Sequence, residues 1–587
     1  MLARTVRSPE PGVPMSSVRL SPAFRRQAQR FVGRRAVVRL SLVVAGLLGN
    51  VPMARLASAQ GTGATPAPVR YDVVIHGGRI VDGTGAPWYV ADLAISDGRI
   101  AAIGQIDPSR GKRAIDATGL IVAPGFIDMM GQTATPFLAD PNTARNLLTQ
   151  GITTINAGEG ESSAPLAGDE AKRAGWSTMR QLFAKLDSAG MPMNMVQTVG
   201  HTQLRQLVIG DKDRQATPAE LERMRGYVRE AMDAGAIGLS TSLIYPPAIY
   251  GSESEIAELA KVAGASGGSY FTHMRNEGDR LLEAIDEALR IGQAAGTPVH
   301  IFHLKAAGQG NWGKMDMALA RVKAARASGQ QVGVDIYPYI NNGLGIRALL
   351  HPRHAADGQA ELLRKLGDPA VRREMRSEME TLGGWENWYA HAGRNWDRII
   401  VTGLSAPYAA QSGMSVGDIA RAAGKDPWDV FFEIAPTDAS AMPQSMSEAN
   451  KIKAMREEFT SFDTDAGPMS PAEKGGHPRG YGAFPRLLAR YVRDLGVLSL
   501  EGMIHRMSAV AANEILAYDR GRLAPGLAAD IVVFDASRIQ DRATFAEPTI
   551  LSDGMRYVLV NGGIVLEDGK YTGVRSGRVI RGPGYKP

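Results

Sequence analysis

The chain has 587 residues, 66 of them Lys or Arg and 60 Asp or Glu, with 44% hydrophobic residues and no cysteine. Disulfides and thiolate metal ligands are thereby excluded, and the length leaves room for one large α/β barrel with additions or for several domains of ~100–200 residues. The net charge of +6 is local: residues 1–59 hold ten Arg, one Glu and no Lys, which leaves 56 basic against 59 acidic residues in the rest, so the body of the chain gives no support to a nucleic-acid or membrane-surface partner.

Residues 1–59 read as an export leader. Arg34, Arg35 and Arg39 precede an apolar run, LSLVVAGLL (40–48), too short for a stable span, and Ala57-Ser58-Ala59 forms an A-x-A cleavage pattern. The expectation is a mature start near Gln60 and a periplasmic or secreted protein. The Arg34-Arg35 pair points to the twin-arginine route, with the general secretory route as the alternative. Residues 60–69 are small and polar, as in a linker, and no later run is long and apolar enough to span a bilayer.

From 71 to 121 short β-rich runs alternate with Gly-containing turns, and the same texture returns at 520–535 and 557–573. The two ends (70–123 and 516–587) are expected to pair in one small β-sandwich, because chain termini often lie close together. Between them, strand-like runs at 126–131, 153–158, 194–201, 236–243, 269–275, 299–305, 332–339 and 460–465 alternate with helical stretches. This pattern predicts βα units and a parallel sheet, closed as a TIM-type (β/α)8 barrel over 124–515. The stretch 340–460 is too long for one crossover and predicts a largely helical insertion over the site.

In such a barrel, functional groups sit at the C-terminal strand ends, and side chains two apart share a face. His273 and His303 end consecutive strands, where two neutral imidazoles can converge on one zinc ion. His300, three residues before His303, is read as facing outward. Asp465, in SFDTDAG (461–467), ends the eighth strand, where a carboxylate can take a proton from water.

At this point a resemblance becomes specific. PGFID (124–128), GITT (151–154), GLSTSLIYPP (238–247), THMRNEG (272–278), HLKAAG (303–308), NWGK (311–314), DIYPY (335–339), HPRGYGAFPR (477–486) and RGRLAPGLAADIVVFD (520–535) resemble, in order, the N-acyl-D-amino-acid deacylases of the amidohydrolase superfamily. The resemblance implies hydrolysis of a small acylated amino acid by metal-activated water. It implies His273 and His303 as metal ligands, Asp465 as the catalytic acid and base, and a substrate-binding set of Arg479 on the substrate carboxylate, Tyr337 near the scissile carbonyl and carboxylate, and Lys305 beside the second histidine.

The pattern breaks at two places. The usual PGFID-x-H-x-H reads PGFIDMMGQ here, with Met130 and Gln132 at the histidine positions. The usual G-N-C-G reads GEGE (158–161), with Gly160 at the cysteine position. Thioether sulfur and amide oxygen are poor zinc ligands. Glu159 or Glu161 could supply the missing donor. The expectation is a single zinc, or another divalent ion, held by His273, His303 and a carboxylate. The alternative is a non-catalytic barrel that binds an acylated amino acid or peptide.

Overall fold

The computed structural model describes residues 70–473 and 475–587; the expected leader and linker fall on residues outside this range. Eight parallel strands carry the architecture: β1 (Phe126–Asp128), β2 (Ile152–Ala157), β3 (Asn194–Gln197, resumed at Val199–Gly200), β4 (Gly238–Ser242), β5 (Ser269–His273), β6 (Val299–Ile301), β7 (Val332–Ile336) and β8 (Thr460–Phe462). All eight fall inside the predicted runs or within one residue of them. β1, β2 and the first half of β3 form one parallel sheet. The second half of β3 continues in order through β4 to β8 as another. Backbone hydrogen bonds bridge both junctions: Ile237 N–H to the Gln197 carbonyl at 2.9 Å, and Met129 N–H to the Phe462 carbonyl at 3.1 Å.

Local sequence explains the helices that separate the strands. Pro218–Ala234 starts at a reciprocal capping box between Thr217 and Glu220 and stops at Gly235 in the left-handed region. Its buried stripe, Met224, Val228, Ala231 and Met232, recurs at helical spacing. That stripe joins the core formed with the helix-facing strand residues Tyr270, Val299, Ile301 and Val334. The opposite strand faces form a second cluster, which includes Ile127, Met129, Met130, Val196, Phe271 and Phe302.

His300 belongs to this second face, which corrects the expectation that it points outward. Its ring packs against Phe271 and Phe302 at 5.7 and 5.8 Å, and its Nε2 lies 2.8 Å from Asp335 Oδ2. The spacing argument fails because the β6 ladder ends at Ile301. The chain then turns through His303 at φ 36°, so residues 300 and 303 are no longer related by strand alternation.

Strands from both ends of the chain share one nine-stranded sheet. The seam is the antiparallel pairing of Ile121–Pro124 with Ile531–Phe534. Between β7 and β8 the chain builds a separate cluster that includes Trp388, Tyr389, Trp396, Trp428 and Phe431. The helices expected there are present, together with a three-stranded antiparallel sheet of Leu344–Gly345, Ile399–Thr402 and Ser440–Pro443. Among the described residues no helix is long and apolar enough to cross a membrane.

Candidate metal centre

β5 and β6 deliver His273 and His303 side by side, with ring centroids 4.4 Å apart and planes at 85°. The Asp335 carboxylate accepts the His303 backbone N–H and holds this turn against β7. Glu159 enters from the loop after β2. Its Oε1 lies 2.6 Å from His273 Nδ1 and 3.3 Å from His303 Nε2. These three side chains offer ligand atoms within 4.8 Å of one another, a grouping found at one place among the described residues. Two imidazoles and a carboxylate match a catalytic zinc set. Burial alone would raise the Glu159 carboxyl, but the hydrogen bonds and charge of His273 and His303 pull it well below the ordinary value. Burial and Lys305 oppose charge on His303, yet Glu277 and Glu159 lift it to about 9. The pocket therefore favours positive charge between the two imidazoles.

The other ring nitrogens meet Glu277, a residue that the sequence reading did not assign. Glu277 Oε1 lies 3.0 Å from His303 Nδ1, and its Oε2 lies 3.6 Å from His273 Nε2. Lys305 holds the same carboxylate at 2.6 Å, and its Nζ lies 2.7 Å from His303 Nδ1. An ammonium and an imidazole N–H cannot both donate to each other. For His303, the tautomer that uses the Glu277 carboxylate as acceptor leaves Nε2 free as a ligand; His273 Nε2 and Glu277 Oε2 make no hydrogen bond among the described residues. A carboxylate behind the metal-facing imidazole is a common orienting device. The signal was present in THMRNEG, four residues past His273.

Gly160 and Glu161 supply no ligand. Gly160 has φ 75°, and a Cβ there would sit 2.6 Å from the Ser242 backbone nitrogen and from its Cβ, so no larger side chain fits. Glu161 is exposed. Of the two candidate glutamates, only Glu159 turns inward, between Gly158 and Gly160, both at positive φ.

Met130 is fully buried in the apolar cluster below the site. Gln132 reaches the site but as a donor. Its amide nitrogen lies 3.0 Å from Glu159 Oε2 and 3.1 Å from Asp465 Oδ1. One NH2 group with two protons thus spans two carboxylates that would otherwise repel. Gln132, His303 and Asp465 are three of the eight described non-glycine residues at positive φ, a concentration of strained backbone typical of functional sites.

On the far side of Asp465, Arg479 Nη1 lies 2.7 Å from its Oδ2. Arg479 is 4% exposed, and its Nε has no hydrogen-bond partner among the described residues. A buried guanidinium with an unpaired Nε donor suits a carboxylate-bearing ligand. The guanidinium stacks 4.6 Å from the centre of the Tyr337 ring, with Lys305 at 5.8 Å. Burial keeps the Tyr337 phenol protonated well above its usual range. Burial also raises Asp465, against the pull of Arg479.

Glu386 of the insertion closes over this region and accepts the backbone N–H groups of Glu277 and Gly278. Burial and the Glu277 charge push its carboxyl up from 4.5 to about 8, against those hydrogen bonds. A carboxyl raised in the folded state costs nothing below the unfolded pKa, and its penalty is complete above the folded one. Stability is therefore lost as pH rises from 4.5 to about 8. Glu386→Gln is expected to raise the melting temperature by roughly 2–5 °C at pH 8 and hardly at pH 4. Thermal melts at both pH values check this, and an equal shift at both would refute it.

The model of the family described as "Amidohydrolase family" matches residues 113–566. The chain belongs to the amidohydrolase family. Its relatives there include a D-aminoacylase of Alcaligenes xylosoxydans xylosoxydans, 32% identical over 521 residues, covering 87% of this chain and 97% of that protein. An N-acyl-D-glutamate deacylase of the same organism is 34% identical, with the same coverage. Among solved structures, D-aminoacylase, a protein with a binuclear metal centre showing one-metal activation and second-metal attenuation, superposes with a TM-score of 0.73 at 33% identity over 87% of this chain and 100% of that one. The N-acyl-D-glutamate deacylase of Bordetella bronchiseptica, solved with zinc and a phosphonate mimic of the tetrahedral intermediate, reaches 0.72 at 34% identity with the same coverage. The amidohydrolase expectation is thus met, and the fold is that of the D-aminoacylase structures.

Proposed function

We propose that this amidohydrolase cleaves N-acyl-D-amino acids, or close relatives of them, with a single divalent metal ion, on a barrel closed through the two bridged junctions and flanked by a sandwich built on the nine-stranded sheet. The observation that carries the one-metal reading is Gln132, whose amide links Glu159 to Asp465 where a second cation would otherwise be needed to hold two carboxylates together. Glu159 Oε1, His273 Nδ1 and His303 Nε2 would hold the ion, zinc fitting this donor set. Bound there, it would supply Lewis-acid polarisation of the scissile carbonyl and acidify water.

The chain's own residues do the rest. Asp465 accepts a proton from the attacking water and returns it to the departing amide nitrogen, a role suited to a carboxyl raised by burial. Arg479, whose Nε has no partner among the described residues and whose Nη1 holds Asp465, pairs with the substrate carboxylate. Tyr337 remains an O–H donor beside the reacting carbonyl. Glu277, held by Lys305, orients the His303 imidazole.

The test is metal content of the full chain by mass spectrometry together with hydrolysis of N-acetyl-D-amino acids, with and without zinc. One ion per chain and zinc-dependent turnover that His273→Ala abolishes are expected. Two ions per chain would overturn the mononuclear reading, and absence of turnover with zinc bound would overturn the enzyme. Arg479→Ala is expected to raise KM roughly 10–100-fold with metal content unchanged, since it removes charged hydrogen bonds to the substrate; an unchanged KM would remove Arg479 from substrate binding. We further infer export from residues 1–59, tested by N-terminal sequencing of the periplasmic protein; a start at Met1 would oppose it.

A further inference from the structure

Room is distributed very unevenly around the metal centre. The space bounded by Glu159, His273, His303, Tyr337 and Asp465 encloses about 30 Å³, on the order of one or two waters. Tyr245 and Trp388 line this space and also line a chamber of about 740 Å³, a size typical of ligand pockets. The two side chains are thus a partition between the reacting groups and the chamber.

The order of groups gives a direction to any substrate. Tyr245 packs on His273 at 5.6 Å, His273 on His303 at 4.4 Å, His303 on Tyr337 at 6.4 Å, and Tyr337 under Arg479 at 4.6 Å. With the substrate carboxylate at Arg479 and the scissile carbonyl at the imidazoles, the acyl group must run towards Tyr245 and Trp388. Beyond them lie Ile244, Ile249, Leu350, Leu362 and Trp385. Three pairs compensate charge in the chamber, Arg275 with Glu287 at 2.9 Å, Arg290 with Glu253 at 2.7 Å and Arg347 with Asp438 at 2.9 Å; Asp211, Arg280 and Glu283 also line it, one cation against two anions. Apolar side chains among compensated charges give methylenes a surface to lie on and offer no net positive charge to a second anion.

On the hydrolase reading above, we propose that the chamber takes the acyl tail, so that the preferred substrates are D-amino acids acylated by medium or long hydrocarbon chains. Trp388 sits on the insertion, in Trp388–His391, and must swing aside with Tyr245 to admit the tail.

The experiment compares kcat/KM of the zinc-loaded full chain for N-acetyl-, N-hexanoyl- and N-decanoyl-D-leucine and the same D-glutamate series. Calorimetric binding of the decanoyl compounds is measured in parallel. Ala348→Phe and Ala355→Phe narrow the chamber at two half-buried positions; two variants guard against one that misfolds. With a gain of up to about fourfold per buried methylene, the decanoyl compounds are expected to exceed the acetyl ones by at least about 100-fold, and the ratio to collapse about tenfold or more in the narrowed variants. Equal rates for acetyl and decanoyl compounds, or a ratio untouched by either variant, would overturn the chamber while leaving the hydrolase standing. Chamber-dependent binding without any cleavage would overturn the hydrolase while keeping the chamber as an acyl-chain site. Neither binding nor cleavage overturns both.

Discussion

Asp465→Asn is expected to lower kcat about a thousandfold, within the range that a positioned proton carrier contributes, while leaving bound zinc at the wild-type level. The amide keeps the volume and can still accept from Gln132, which lies 3.1 Å from Oδ1. It cannot accept a proton from water or pass one to a leaving nitrogen. Its NH2 would face Arg479 Nη1, now 2.7 Å from Oδ2, donor to donor, so KM rises as well. The fall in kcat is the part that reports on proton transfer. Steady-state kinetics with metal analysis on the same sample separates the two. A kcat within tenfold of wild type would show that another group carries the proton.

Glu159→Gln is expected to weaken zinc binding by at least about 100-fold, because even residues that only orient a ligand contribute 10–100-fold. The carboxylate is the one anionic member of the donor group and lies against both imidazoles. A neutral amide leaves a cation there with two imidazoles and a weak oxygen. Competitive titration with a chelator measures the affinity. Activity should recover at high zinc if geometry survives. Unchanged affinity would mean that the ion sits elsewhere, and would return Gln132 and Asp465 to consideration as its holders. The same change at Glu161, which is exposed, is expected to have no effect on affinity.

Much of this centre was legible because the relevant signals are local. Strand-like runs alternating with amphipathic helices gave the parallel order. Residues at strand ends follow from that order, so His273, His303 and Asp465 could be placed without tertiary information. The loss at Met130, Gln132 and Gly160 could also be read, since each residue type lacks the donor that the position ordinarily carries. Glu277 was missed even though it lies in the same motif as His273, because a carboxylate four residues on can face solvent or a ligand, and sequence spacing does not choose between them. His300 was placed on the wrong face because the alternation rule was carried past Ile301, where the ladder stops.

Sequence alone therefore determined the order of the strands and the identity of the groups at their ends, which depend on periodicity and residue chemistry over short spans, and its ordered motifs carried the resemblance that pointed to the family. Tertiary structure decided which groups meet. Glu159 rather than Glu161 faces the imidazoles because Gly158 and Gly160 both adopt positive φ. Gln132 became a bridge between Glu159 and Asp465 because residues 27 and 333 positions away arrive at one amide. Trp388 came to divide a small reacting space from a large chamber because the insertion folds around its own core. These outcomes rest on turn geometry and long-range packing, which no local pattern in the chain encodes.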